Sequence, residues 1–306
     1  MIKQLLVEVR RRQQADHQLH EASKLGVYRV GSSGVVVAGQ SYGQCPRQAH
    51  LRSLGVEGDK TDTDLLTFES GYASEDKFME TLTAAWTDEA KSRTVQREEE
   101  CPVEFEAGGH RVTGRPDGLL LEAGVPVYGV ECKAVLSMWK AIKVHYDLKP
   151  DTAHLIQAGI YSHCLGVPWS IVYSARCQYH LSTAPGWLQA KFQQGVYDVE
   201  WKGTEPFKTS VFEREYLLTW EDGHLCYSTV GLDKVKTLMT WESVLAFYQQ
   251  ITDVPVSMPP RPTKVGIDGK STYKACDYCE FKPQCDNYES NYEVWVDHIT
   301  STKETV

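Results

Sequence analysis

Asp117, Glu131 and Lys133, in the middle of the chain, are residue types that metal-assisted phosphodiester hydrolysis can use. That reaction needs negative charge stabilised on a phosphorane-like transition state and a hydroxide generated near neutral pH, which one or two hard divalent cations supply. Hard cations take oxygen ligands, and two carboxylates on adjacent strands of a hairpin offer them at close range. Asp117 follows Gly114, Arg115 and Pro116 at an expected turn, and Glu131 ends the apolar run VPVYGVE after thirteen intervening residues. Glu131 and Lys133 stand two apart on a strand, so both point to one face and the lysine can reach a water or phosphate beside the metal. A metal would also explain a charge placed in an apolar strand. The spacing alone is loosely specified; the alternative is a surface ion pair between Glu131 and Lys133 on an edge strand.

A second constellation runs across almost the whole chain: Cys45, then Cys276, Cys279 and Cys285 in YKACDYCEFKPQC. A CxxC pair lets two sulfurs reach one metal or cluster across a tight turn, Cys285 adds a third, and a closed site needs a fourth ligand. With 230 residues between Cys45 and Cys276, such a site would tie distant parts of the chain and restrict the unfolded state. Cys101, Cys132, Cys164, Cys177 and Cys226 have no comparable spacing and read as free thiols.

The elements that would position these groups are legible in outline. Pro46 suits the first turn of a helix and Gly55 its end, so PRQAHLRSLG reads as a short helix entered from Cys45. In FESGYASEDKFMETLTAAW, Phe78, Leu82 and Trp86 recur at spacing four, with Glu75 and Met79 on an adjoining stripe. From Thr94 to Lys133 the pattern predicts three or four antiparallel strands. LSMWKAIKVHY and DTAHLIQAGIYSHCLG read as helices, the second capped by Asp151 and ended by Gly166. WSIVYSAR is a strand; YDVEW, EREYLLTWEDG and HLCYST are further strands, followed by a helix near Trp241 to Ile251.

The 306 residues, 42% hydrophobic and 24% charged, are ordinary globular composition. A net charge of −9 argues against a protein that coats nucleic acid by bulk electrostatics, but not against a nuclease with acids at the metal and a local basic track. Candidates for that track are Arg10, Arg11, Arg12, Arg47, Arg52, Lys140, Lys143 and Lys149, with solvated helix faces as the alternative. Nine cysteines without framework spacing, and a start that reads as neither a secretory signal nor a spanning helix, lead to the expectation of a reducing, cytoplasmic location.

The sequence resembles the RecB-type branch of the PD-(D/E)xK nucleases, through Arg115-Pro116-Asp117, Glu131-Cys132-Lys133 and the QxxxY run Gln157-Ala158-Gly159-Ile160-Tyr161. The resemblance implies an α/β restriction-endonuclease-like core over 61–259, with a mixed central sheet flanked by helices, and an iron-sulfur lobe built from 1–60 and 260–306. It implies a magnesium- or manganese-dependent exonuclease acting on single-stranded DNA or exposed DNA ends. Asp117, Glu131, Glu75 and the Cys132 carbonyl would hold the metal, with Asp76 and Glu80 as alternatives to Glu75. Lys133 would act on the attacking water, and Gln157 and Tyr161, i and i+4 on one helix face with His154 nearby, would line the groove for the strand. Cys45 would complete a 4Fe-4S cluster with Cys276, Cys279 and Cys285; zinc on the same thiolates is the alternative. The expected partners are DNA and no membrane, with a homo-oligomer or recombination and repair proteins as further associates; for a viral relative the location is the host-cell cytoplasm. Competing readings are a CRISPR-type nuclease that trims DNA ends for spacer acquisition, a catalytically inactive DNA-binding module, and a zinc-ribbon structural protein.

Overall fold

The computed structural model describes residues 27–53, 62–175, 186, 189–190, 194 and 212–252. In chain order the strands are β1 (Tyr28–Arg29), β2 (Gly34–Val37), β3 (Gln40–Gly43), β4 (Arg93–Arg97), β5 (Val103–Ala107), β6 (His110–Gly114), β7 (Gly118–Glu122), β8 (Val125–Ala134), β9 (Trp169–Ala175), β10 (Phe212–Glu221), β11 (His224–Thr229) and β12 (Leu232–Thr240). The helices that matter here are α1 (Pro46–Ser53), α2 (Asp62–Trp86), α3 (Met138–Ala141), α4 (Thr152–Leu165) and α5 (Trp241–Thr252). The chain is thus mixed α/β.

Seven strands form one sheet in the order β12-β11-β10-β9-β8-β7-β4. The β8–β9 pair is parallel and every other pair in this sheet is antiparallel. A parallel pair needs a long crossover, and α3 and α4 supply it. β9 lies between β8 and β10 and is buried along its whole length, which is why WSIVYSA is a near-continuous apolar run rather than an alternating one.

Strand alternation sends side chains to two differently covered faces. Leu120, Val130 and Val172 pack with Phe78, Leu82 and Trp86 of α2, whereas Leu119, Leu121, Ile171 and Tyr173 join the larger core containing Ile156 and Ile160 of α4. The predicted α4 caps are in place: the Asp151 carboxylate accepts from the Ala153 amide at 3.1 Å, and Gly166 closes the helix at φ 67°. At Gly159 an added Cβ would stand 2.8 Å from Leu225 Cδ2, so the small residue lets α4 settle close to the sheet.

Three differences from the sequence reading have local causes. The stretch 93–134 holds five strands, not three or four, in two sheets: β5 and β6 leave to pair with β1, in the order β1-β6-β5. The 3-10 turn Glu98–Glu100 and Pro102 redirect the chain before β5, and Pro116 does so before β7. Second, α3 is one turn that widens into a π-type turn over Ile142–Tyr146. Third, β12 carries Asp233, Lys234 and Lys236, charges suited to a sheet edge but misleading as a strand signal. YDVEW lies outside the described residues. The β2–β3 hairpin packs on α5 and α4, and β1 pairs with β6, so no break in packing separates 28–53 from the part beginning at 62.

Candidate active site

The antiparallel register pairs Gly118 of β7 with Val130 of β8, and one further step sets Asp117 across from Glu131. The turn that delivers Asp117 is held at both preceding carbonyls. Tyr161 Oη donates to the Arg115 carbonyl at 3.2 Å, and Cys101 Sγ approaches the Pro116 carbonyl at 3.9 Å. Gly118 lets α2 come close: a Cβ there would lie 2.4 Å from Met79 Cε. Glu75 is four residues before Met79, so this contact also carries Glu75 toward the acids.

Glu131 is 0% exposed and Asp117 7%, and β8 is an interior strand between β7 and β9. The reading of a surface ion pair on an edge strand therefore falls. Lys133 Nζ donates to Glu131 Oε1 at 2.5 Å and stands 4.0 Å from Asp117 Oδ2. The Cys132 amide donates to Asp117 Oδ2 at 2.7 Å. Glu131 Oε2 has no hydrogen-bond partner although it is buried, a costly state for a carboxylate oxygen.

The electrostatics follow from crowding acids in a dry site. Burial and the Asp117 charge push Glu131 up to about 8, against the pull of Lys133. Burial and Asp117 likewise push Glu75 up to about 7, with Glu98 and Asp76 acting in the same direction. Asp117 is raised by burial despite Lys133 and the Cys132 amide. Burial alone would lower Lys133, but Glu131 and Asp117 outweigh it, so the ammonium is held charged.

Glu75, Asp117, Glu131 and Lys133 thus form one electrostatic cluster. The alternatives to Glu75 are otherwise engaged: Asp76 pairs with Arg97 at 2.9 Å, and Glu80 with Lys77 at 3.1 Å. Cys132 sits between Glu131 and Lys133, its thiol buried on the opposite strand face. Gln157 Nε2 donates to Tyr161 Oη at 3.5 Å; the tyrosine is buried and braces the turn before Asp117, while Gln157 is half-buried and nearer the surface. His154 Nδ1 is 3.0 Å from Tyr173 Oη, which accepts from the Asp151 amide, and Tyr173 pairs in register with Lys133. Cys45 is buried at the entry to α1; Cys276, Cys279, Cys285 and Cys177 lie outside the described residues.

Sequence reasoning missed two supports. Cys101, read there as a free thiol, is kept protonated by burial and the Glu100 charge, its pKa raised to about 11, and so remains a donor toward Pro116. Glu98 adds negative charge near Glu75 and Asp117 from a turn whose three consecutive glutamates look like surface.

The donor set suits a hard cation: oxygen ligands, an orphaned buried carboxylate oxygen and acids that resist ionising without a counter-charge. Among the described residues, no three His, Cys, Asp or Glu groups already converge as ligands; Lys133 occupies Glu131 Oε1 instead. No helix of the described residues is long and apolar enough to cross a membrane.

No family model and no curated protein matches the chain. A solved structure described as the crystal structure of SSO0001 is similar at 12% identity, covering 92% of this chain and 94% of that one, with a TM-score of 0.44.

Proposed function

We propose that the chain is a magnesium- or manganese-dependent DNA nuclease acting on single strands or exposed ends, on a PD-(D/E)xK-type core. The observation that carries this reading is Glu131 Oε2: a fully buried carboxylate oxygen without a partner, across the hairpin from a second buried acid and beside a charged lysine. A structural ion pair has no use for a third carboxylate, whereas a cation site does, and Glu75 supplies one.

Asp117, Glu131, Glu75 and the Cys132 carbonyl would hold the metal, which when bound supplies Lewis-acid stabilisation and a water acidic enough to attack. The Cys132 amide fixes the Asp117 carboxylate, and the anchored Arg115 and Pro116 carbonyls fix the backbone that carries it. Lys133 Nζ keeps its proton and presents a positive charge where the scissile phosphate gains negative charge. Gln157, next to the buried Tyr161, would orient the strand.

A 4Fe-4S cluster on Cys45, Cys276, Cys279 and Cys285 is the accompanying proposal. Its support within the described residues is a buried thiol directly before Pro46 at a helix entrance.

The test is nucleotide release from end-labelled, linear single-stranded DNA with manganese or magnesium, comparing the intact chain with Asp117→Ala. Degradation by the intact chain alone is expected, and the fate of the label assigns polarity. If neither cuts while both bind DNA, hydrolysis is wrong and a DNA-binding module replaces it.

A further inference from the structure

Tyr173 stands opposite Lys133 in the β8–β9 register, one inter-strand step, about 5 Å, from the lysine of the carboxylate cluster. Its phenol oxygen accepts from the Asp151 amide at 2.9 Å and lies 3.0 Å from His154 Nδ1. An oxygen that already accepts an amide proton has its own proton to give, and Nδ1 is the acceptor in reach. That fixes the tautomer: His154 carries its proton on Nε2, as a donor. Burial and Lys140 keep the ring neutral, its pKa well below the ordinary value against the pull of Asp151. Lys140 of α3 is half-buried over the Tyr173 ring, its Nζ 5.9 Å from the centroid, and Lys143 follows three residues on in the π-type turn. Lys133, Lys140 and Lys143 all act on His154, so the four groups gather beside one another. Asp151 offsets part of this charge while its carboxylate caps α4.

We propose that His154 Nε2–H, Lys140 and Lys143 form a subsite for a phosphodiester of a DNA strand, next to the phosphate at Lys133. The imidazole gives one directed hydrogen bond and the two ammoniums supply charge. A neutral donor suits a place where three lysines already meet, because it holds a phosphate oxygen without adding a fourth positive charge. It is also preorganised: the Asp151 amide holds the Tyr173 hydroxyl, and the hydroxyl holds the ring. That the bound phosphate belongs to the strand being cut rests on the nuclease reading; the donor set does not.

Fluorescence anisotropy of labelled oligothymidylate across a salt series separates the two kinds of donor, in the full chain carrying Asp117→Ala so that no strand is cut. Lys140→Gln and Lys143→Gln should each reduce the slope of log affinity on log salt by about 0.7, the single-strand value per phosphate contact. His154→Phe should instead weaken binding about 10- to 100-fold with the slope unchanged, the loss expected for a hydrogen bond to a charged group. His154→Gln, which offers Tyr173 an acceptor and the phosphate a donor, should restore binding. In isotope-labelled protein, proton–nitrogen correlations of the His154 ring should show Nε2 alone protonated, and oligothymidylate should shift Nε2 more than Nδ1. The proposal is overturned if His154→Phe, folded by circular dichroism, binds like its parent or loses slope as the lysine variants do, or if the proton sits on Nδ1. Binding through these residues without cleavage by the intact chain would uphold the subsite and remove the hydrolysis reading. Cleavage by the intact chain, with all three variants binding like their parent, would do the reverse.

Discussion

Lys133 is the residue on which the carboxylate cluster depends, because its Nζ stands 2.5 Å from Glu131 Oε1 and 4.0 Å from Asp117 Oδ2. Lys133→Met should therefore cost about 3 kcal/mol in urea unfolding, the scale expected when one partner of a buried pair is removed. Adding Glu131→Gln should recover most of that loss; a single variant as stable as the parent would show that the pair contributes nothing. The pH dependence has a definite sign. Glu75 and Glu131 rise from an ordinary 4.5 to about 7 and about 8, so the folded state binds their protons more tightly than the unfolded state. Their stabilising contribution is complete below about pH 4.5 and is lost as the pH climbs to about 8. Thermal midpoints of the metal-free protein should fall across that window more steeply than those of the Glu75→Gln, Glu131→Gln double variant, and manganese should flatten the wild-type curve. Much of this residue layer was readable in advance: Asp117, Glu131, Lys133 and Glu75 were identified by type and spacing or by resemblance.

Elements place these residues through a few tight packing contacts. Gly129 of β8 is the sharpest: an added Cβ would lie 2.0 Å from the Trp169 ring, and that ring is buried on a central strand with nowhere to move. Gly129→Ala should lower stability by about 1–3 kcal/mol by calorimetry and displace β8, the strand that carries Glu131 and Lys133. Gly118→Ala meets only the flexible end of Met79 and should cost less; equal losses would refute this account. Helices with clear caps and periodicity, such as α4, were visible in the sequence. The split of β4–β8 between two sheets was not, because only the turns at Glu98–Glu100 and Pro116 divert β5 and β6 from their sequence neighbours. β12 was hidden for the opposite reason, its edge charges masking a strand whose Thr237 and Met239 are buried.

At the scale of the whole molecule, the proposed cluster would join Cys45 to cysteines more than two hundred residues away. If it is present, purified protein should be brown and contain about four irons per chain. Cys45→Ser should lose iron and melt at a lower temperature, because opening the ring returns conformational freedom to the unfolded state. A colourless, zinc-containing protein would instead favour the zinc alternative.

The single parallel pair in the large sheet has a temporal meaning. β7 and β8 join through a tight turn, but β8 meets β9 only after the whole crossover of α3 and α4 has been laid down, with Glu131 opposite Ile171. Local contacts form quickly and distant ones wait for loop closure. The hairpin that sets Asp117 against Glu131 should accordingly gain amide protection early in pulse-labelled refolding, and β9 later; simultaneous protection would contradict this order. Since β9 covers the edge of β8 that carries Glu131, the reluctance of that carboxyl to lose its proton should arise as β9 docks.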